Sequence, residues 1–284
     1  GMETLALTAA DQVKITVTNT LAHARSGETV EIDLATITHK LGTPSGIVIT
    51  DADGREQPSQ ITHDGKLIFQ AAVAAKGKSI YYAKKGQPAT YEPRVYGRQF
   101  PERVDDIAWE NDKGAYRLYG PALQRSGERA WGYDVWNKRT SRLVVEDRYA
   151  GELDPDLQRA VSKLRSRGLN DLADDVYNAV SYHVDHGNGM DCYKVGPTLG
   201  CGTAALLIDE KIQYPHCYTT YEILDKGPLR FTVRLTYATE KIDGMDVIEH
   251  RTISLDAGSH LNKAVVDYEG INRNVQVAVG LIVH

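Results

Sequence analysis

Over residues 13–83 the apolar side chains recur at every second position or in bursts of three, and no burst is longer than a single strand. They run Val13, Ile15, Val17; then Val30, Ile32, Leu34; then Ile47, Val48, Ile49; then Leu67, Ile68, Phe69; then Ile80, Tyr81, Tyr82. Turn formers separate them, at Arg25-Ser26-Gly27, Asp51-Ala52-Asp53-Gly54 and Asp64-Gly65, with the spacing of a small antiparallel sandwich. The pattern predicts an N-terminal β-sandwich domain over residues 1–88. The stretch Lys84-Lys85-Gly86-Gln87-Pro88-Ala89-Thr90 is polar and holds Gly and Pro, so it reads as the linker to a second domain over residues 89–284.

In that second part residues 115–119 read as a strand ended by Gly120-Pro121, and residues 143–146 as another. The period then switches once. Asp154-Pro155 supplies an N-cap carboxylate with Pro at the first helical position, Leu157, Val161 and Leu164 follow on one face, and Gly168 closes the helix. A second helix starts at Asn170, with Leu172, Val176, Ala179 and Val180 on one side; these two are the only helices the sequence predicts. From Gly227 strands return, with Leu229, Phe231, Val233, Leu235 and Tyr237 alternating with Arg230, Thr232, Arg234 and Thr236. The apolar run at residues 275–283 is expected to be buried on at least one face, and its abrupt stop at His284 suggests that the natural protein continues.

Charge removes one class of partner. There are 33 Lys+Arg against 38 Asp+Glu, and no basic run exceeds Lys84-Lys85, so nucleic acid has little to attract it. No stretch approaches the about 18 consecutive apolar residues of a membrane span. Gly1 ahead of Met2 reads as a remnant of tag removal, which leaves export open. The cysteines Cys192, Cys201 and Cys217 are odd in number and lack CxxC spacing, which argues against a disulfide framework or a zinc ribbon. Sixteen Tyr against three Phe is a texture of wet, sugar-contacting surfaces.

Three segments hold residues suited to chemistry. Residues 181–203 pack five glycines, two histidines and two aspartates into one loop without a phosphate-loop or dinucleotide signature. In extended backbone His183 and Asp185 point to one side and His186 to the other, an arrangement that supplies a tuned general base. Metal ligation is not expected, because zinc needs three or four ligands and only two are paired. Residues 98–121 bring together Arg98, Arg103, Arg117, Glu110 and Trp109: carboxylates for acid and base work, arginines to neutralise a uronate, a ring to stack on a pyranose. Residues 131–139 add Trp136 and Lys138 beside Asp134 as a cleft wall. The competing account is that these groups cap glycine turns, solvate a charged loop or pack a sandwich edge.

The blocks Asp105-Asp106-Ile107-Ala108-Trp109-Glu110-Asn111-Asp112, Tyr116-Arg117-Leu118-Tyr119-Gly120-Pro121 and Asp134-Val135-Trp136 are joined by the long run Tyr182-His183-Val184-Asp185-His186-Gly187-Asn188-Gly189-Met190-Asp191-Cys192-Tyr193-Lys194-Val195-Gly196-Pro197-Thr198-Leu199-Gly200. Together they resemble the bacterial domain of unknown function 4861 family, over nearly the whole chain, with Cys201 as a departure where the family pattern has a small residue. The resemblance implies an exported protein encoded near enzymes that degrade uronic-acid-containing polysaccharides, hence a periplasmic or secreted location. It further implies a galactose mutarotase-like β-supersandwich, so the expected fold is all-β, the small N-terminal β-sandwich read from the pattern plus that supersandwich, with the short helical insertion at about residues 154–180.

The expectation is therefore a carbohydrate-active enzyme, a glycoside hydrolase or polysaccharide lyase on a uronate-containing glycan, working without a cofactor or metal. The alternatives are a sugar mutarotase or epimerase, and a non-catalytic glycan-binding protein. The catalytic candidates are His183, Asp185, His186, Asp191 and Glu110. The substrate-binding candidates are Arg98, Arg103, Trp109, Arg117, Trp136, Lys138 and Tyr193. The groups of residues 183–191 are expected to converge on Glu110 or Arg117.

Overall fold

The computed structural model describes residues 9–283, so the N-terminal Gly1-Met2 and His284 lie outside the described residues. Strands predominate, and the protein is all-β in class. The chain divides into two compact units, one holding residues up to Arg94 with 227–230 and 256–258, the other holding 95–226, 231–255 and 259–284.

The first unit begins with β1 (Gln12–Thr18), β2 (Arg25–Asp33), α1 (Leu34–Leu41) and β3 (Ile47–Asp51). It continues through β4 (Glu56–Gln57), β5 (Ser59–Ile61), β6 (Lys66–Val73) and β7 (Lys78–Lys85). Two antiparallel sheets form, in the orders β1-β7-β3-β4 and β2-β6-β5. The alternation seen in the sequence sets their register: Ile15 lies opposite Tyr81, Ile49 opposite Ala83, and Val30 opposite Phe69. Ile15, Ile49, Tyr81 and Ala83 from one sheet share a core with Leu67, Phe69 and Val73 from the other. Each of the larger aliphatic and Phe side chains contributes roughly 1.5–3 kcal/mol by leaving water.

Leu34, read from the sequence as a strand residue, instead opens α1. Ile37 and Leu41, one turn apart, are buried in the same core, and the helix stops at Gly42, whose left-handed φ of 72° no β-branched residue would adopt readily. Leu34, Ile37 and Leu41 anchor this helix, while Thr36, Ile37 and Thr38 by themselves favour strands, so the sandwich core overrides local preference here.

The second unit opens with a four-stranded sheet, β8 (Val95–Phe100), β9 (Asp106–Asn111), β10 (Gly114–Leu118) and β11 (Asp134–Asn137), in the order β11-β10-β9-β8, with α2 (Pro121–Arg125) between the last two in sequence. Helices α3 (Val145–Glu152), α4 (Pro155–Ser166) and α5 (Asn170–Asn178) follow. The cap of α4 is as the sequence predicts, with Asp154 accepting from the Asp156 and Leu157 amides. Residues 143–146 do not form the expected strand, since α3 begins at Val145.

After the helices come β12 (Cys201–Ile208), β13 (Lys211–Gln213), β14 (Tyr218–Lys226), β15 (Arg230–Tyr237), β16 (Glu240–Ile242), β17 (Met245–Asp256), β18 (Lys263–Glu269) and β19 (Gln276–Leu281). They make a β13-β12-β19 sheet and a β14-β15-β17-β16 sheet with β18 also paired to β17. The C-terminal strand pairs with β12; one face, Val277, Val279 and Leu281, is 53%, 69% and 67% exposed, while the other, Ala278, Gly280 and Ile282, is half-buried, with Gly280 against Leu199. No helix among the described residues is long and apolar enough to cross a membrane.

Candidate functional site

The β8–β11 sheet sorts its side chains by parity. Arg117 lies opposite both Asp134 and Ala108, and Ala115 opposite Trp136 and Glu110. One face therefore carries Arg98, Phe100, Asp106, Glu110, Arg117, Asp134 and Trp136, while Trp109 faces the other way. Tyr149 of α3 and Tyr182 cover the first face, packed with Phe100 and Trp136.

At its centre is Arg117, buried among three carboxylates. Nη2 lies 2.5 Å from Asp134 Oδ2 and 2.8 Å from Asp191 Oδ2, and Nη1 lies 3.9 Å from Asp106 Oδ2. The hydroxyls of Tyr182 and Tyr119 stand 3.3 and 3.2 Å from the guanidinium, and the Trp136 ring 5.0 Å away. Tyr149 donates to Asp106 at 3.0 Å, and Arg103 approaches the same carboxylate at 4.0 Å. Three negative charges face one fully surrounded positive charge. Burial accordingly pushes the Asp106 carboxyl up to about 6 against the opposing pull of Arg117 and Arg103. Burial raises Asp191 too, Arg117 again opposing.

Asp191 reaches Arg117 because the glycine-rich segment lies down on β11. Isolated bridges join Trp136 to Asp191 and Tyr133 to Gly200. At Gly189, φ is +95° and a Cβ would stand 2.1 Å from the Asn137 carbonyl oxygen; at Gly200, φ is +57° and a Cβ would stand 2.4 Å from that of Tyr133. The glycines thus permit close backbone approach. His183 sits on the outer side of this arrangement. Its Nδ1 lies 3.2 Å from the Asp191 carbonyl and 3.5 Å from Asp191 Oδ2, and its side chain is 54% exposed. An exposed imidazole backed by a buried carboxylate, itself backed by a guanidinium, can exchange a proton with a bound molecule.

The other sequence candidates are placed differently. Glu110 is buried: Oε1 accepts from the Val144 and Val145 amides at 2.7 and 2.9 Å, and Oε2 from Lys138 at 2.7 Å. Lys138 also donates to the Asn111 carbonyl. Asp185 accepts from the Gly187 and Gly189 amides and pairs with Arg139 at 3.1 Å, contacts that hold its carboxyl below the usual range, Arg139 first. His186 Nε2 lies 2.9 Å from the Ser181 carbonyl. Arg98 bridges Glu146 and Glu102 over the Phe100 ring. Trp109 is buried, donates to Asn262 at 2.7 Å and stacks on Phe231. Trp136 donates to Asp134, and Tyr193 to the carbonyls of Gly200 and Ile282.

Of the twelve candidates, the structure gathers Arg117, Asp191, His183, Trp136 and Arg103 into one cluster. It adds Asp134, placed beside Trp136 in the sequence reading, and Asp106, Tyr119, Tyr149 and Tyr182, to which that reading gave no role; the pairs Arg117/Tyr119 and Asp134/Trp136, each two apart, carried the available signal. Among the described residues no three His, Cys, Asp or Glu surround a common metal position.

The proton on Asp106 has a measurable consequence. Between about pH 4 and 6 the folded state retains a proton that the unfolded chain releases, so this group makes stability fall as pH rises through that window, by on the order of 3 kcal/mol. Asp106→Asn should flatten that part of the curve of urea-unfolding free energy against pH. An identical slope in the variant would refute the assignment.

These features define a β-rich protein with a polar centre built of one arginine and three aspartates. The chain belongs to the family described as Domain of unknown function (DUF4861), whose model matches residues 17–284. It is also similar to the uncharacterized protein P7 of Formosa agariphila, with 28% identity over 289 residues covering 95% of this chain. The chain spans 66% of that relative's length. No solved structure matches it.

Proposed function

We propose that this protein is a carbohydrate-active enzyme on uronic-acid-containing polysaccharide or oligosaccharide, acting as a lyase with His183 as the proton-transferring group. The observation that carries the reading is the exposed His183 imidazole held against buried Asp191, which Arg117 in turn holds. In the elimination, His183 takes the proton α to the uronate carboxyl. The electron pair forms the ring double bond as the bond to the glycosidic oxygen at the β position breaks, and that oxygen leaves and takes up a proton. Asp191 stabilises the imidazolium, and the half-buried Arg103 neutralises the uronate carboxylate. A polymeric substrate of this kind suits a periplasmic or secreted protein.

A two-carboxylate hydrolase has less support, since Glu110 and Asp185 each commit oxygens to backbone amides. A mutarotase or epimerase would use His183 as acid and a carboxylate as base to open and reclose the sugar ring at its anomeric carbon, leaving the glycosidic bond intact, and a binding protein would need neither partner of the dyad. Incubation with pectic and other uronate oligosaccharides separates these readings. New reducing ends together with ultraviolet absorbance of unsaturated uronate are expected, and His183→Ala should abolish both while shifting stability by less than about 0.5 kcal/mol. Reducing ends alone would indicate a hydrolase, and neither signal would reject cleavage.

A further inference from the structure

Strand β5 begins only at Ser59, opposite Phe69, because Pro58 ahead of it has no amide proton with which to continue the ladder. Strand β6 runs on to Val73, so its residues 70–72 pass beyond the start of β5. Beside them lies a cavity of about 250 Å³ whose lining includes Gln57, Pro58, Gln70, Tyr81, Arg94 and Leu229, all within the first compact unit. That volume is the room of about eight water molecules at roughly 30 Å³ each, the scale of one hexose.

The polar groups on its wall are held in place by the fold. The Gln70 carboxamide is fixed at both ends, with Nε2 donating to the Ala257 carbonyl at 2.7 Å and Oε1 accepting from Arg94 Nη1, so the guanidinium is pre-oriented. The Tyr81 hydroxyl accepts from the Ala72 amide at 3.0 Å, which leaves its own proton to donate. Gln57 directs its Nε2 protons to Asp51 and to the Arg55 carbonyl, and its Oε1 remains an acceptor. Pro58, Leu229 and Ala71 supply apolar wall between these groups.

Charge selects the occupant. Among the described residues Arg94 is the one ionised side chain lining the cavity, and no carboxylate lines it. A guanidinium matches a carboxylate with two parallel hydrogen bonds, whereas a cation would meet Arg94 with no anion on the wall to offset it. The Tyr81 donor and the Gln57 acceptor suit alcohol groups, and the apolar wall suits the C–H face of a ring.

We infer that this cavity is a binding site for a sugar acid, taking one hexuronate unit whose carboxylate meets Arg94 and whose ring hydroxyls exchange hydrogen bonds with Tyr81 and Gln57. The choice of a hexuronate among sugar acids rests on the substrate class proposed above; the site itself holds sugar, performs no reaction and does not depend on His183.

Titration of the whole chain with galacturonate, glucuronate, galactose and acetate, followed through backbone amide NMR shifts, tests this directly. Both hexuronates should move the amides of Gln57, Ala71 and Ala72 in a saturable way, about tenfold more tightly than galactose or acetate, because only they combine the charged fork with ring hydroxyls. Arg94→Met, at an exposed position, should erase the preference over galactose, and Ala72→Phe, also exposed, should fill the cavity and block every probe. His183→Ala should leave these shifts unchanged. The inference is overturned if neither hexuronate moves these amides, if galactose or acetate binds as tightly as galacturonate, if both variants bind like the wild type, or if the shifts vanish in His183→Ala. Hexuronate binding here by a protein that releases no unsaturated uronate from pectic oligosaccharides would reject the lyase reading and support this one.

Discussion

Arg117→Met is expected to lose about 3–5 kcal/mol of stability at neutral pH, because it leaves Asp106, Asp134 and Asp191 buried with their principal cation gone. Against a typical total of about 5–15 kcal/mol, that fraction can leave the chain largely unfolded at body temperature. The loss should shrink at about pH 5, where protons on Asp106 and Asp191, both raised by burial, replace the missing guanidinium. Arg117→Lys should fall between, since a single ammonium cannot span Asp134 and Asp191 as the planar fork does. Urea midpoints at two pH values measure all of this. A Met variant as stable as the wild type at pH 7.5, or one equally destabilised at both pH values, would show that the aspartates do not depend on Arg117.

Glu110→Ala should be similarly severe, for a different reason. Its carboxylate is both the partner of the enclosed Lys138 and the cap of the first α3 amides, so Ala strands an ammonium and two N–H groups together. Breaking a buried pair from one side costs about 3–5 kcal/mol and loss of a cap about 1 kcal/mol, terms that will not add fully. Adding Lys138→Met should recover much of the loss by removing the unpaired charge. A double-mutant cycle in urea reads the coupling, and a coupling near zero would mean that the pair is incidental.

These two residues also show what a sequence can and cannot disclose. Asp154-Pro155 declared the start of α4 because cap and first turn are neighbours in the chain. The start of α3 is hidden, because its capping carboxylate comes from Glu110, in a strand far upstream. Trp109 was read as a ring to stack on a pyranose beside Glu110, yet adjacent residues of one strand face opposite ways, so parity alone separated them. The β bursts of residues 13–83 were legible for the same reason: period two is local. The meeting of Arg117 with Asp191 is not local. It depends on the register of β10 with β11 and on a later segment laid against β11 at Trp136, neither of which any short window encodes.

The way that segment is fastened bears on how such a protein can change over generations. Gly189 and Gly200 secure it through main-chain approach that admits no side chain, so these two positions are closed to drift. Between and around them, exposed side chains such as His183 and Cys192 contribute little to the fastening itself. Selection can therefore exchange the outward-facing groups while the backbone clasp keeps its shape, which lets descendants of one ancestor diverge in chemistry without first having to relearn how to fold.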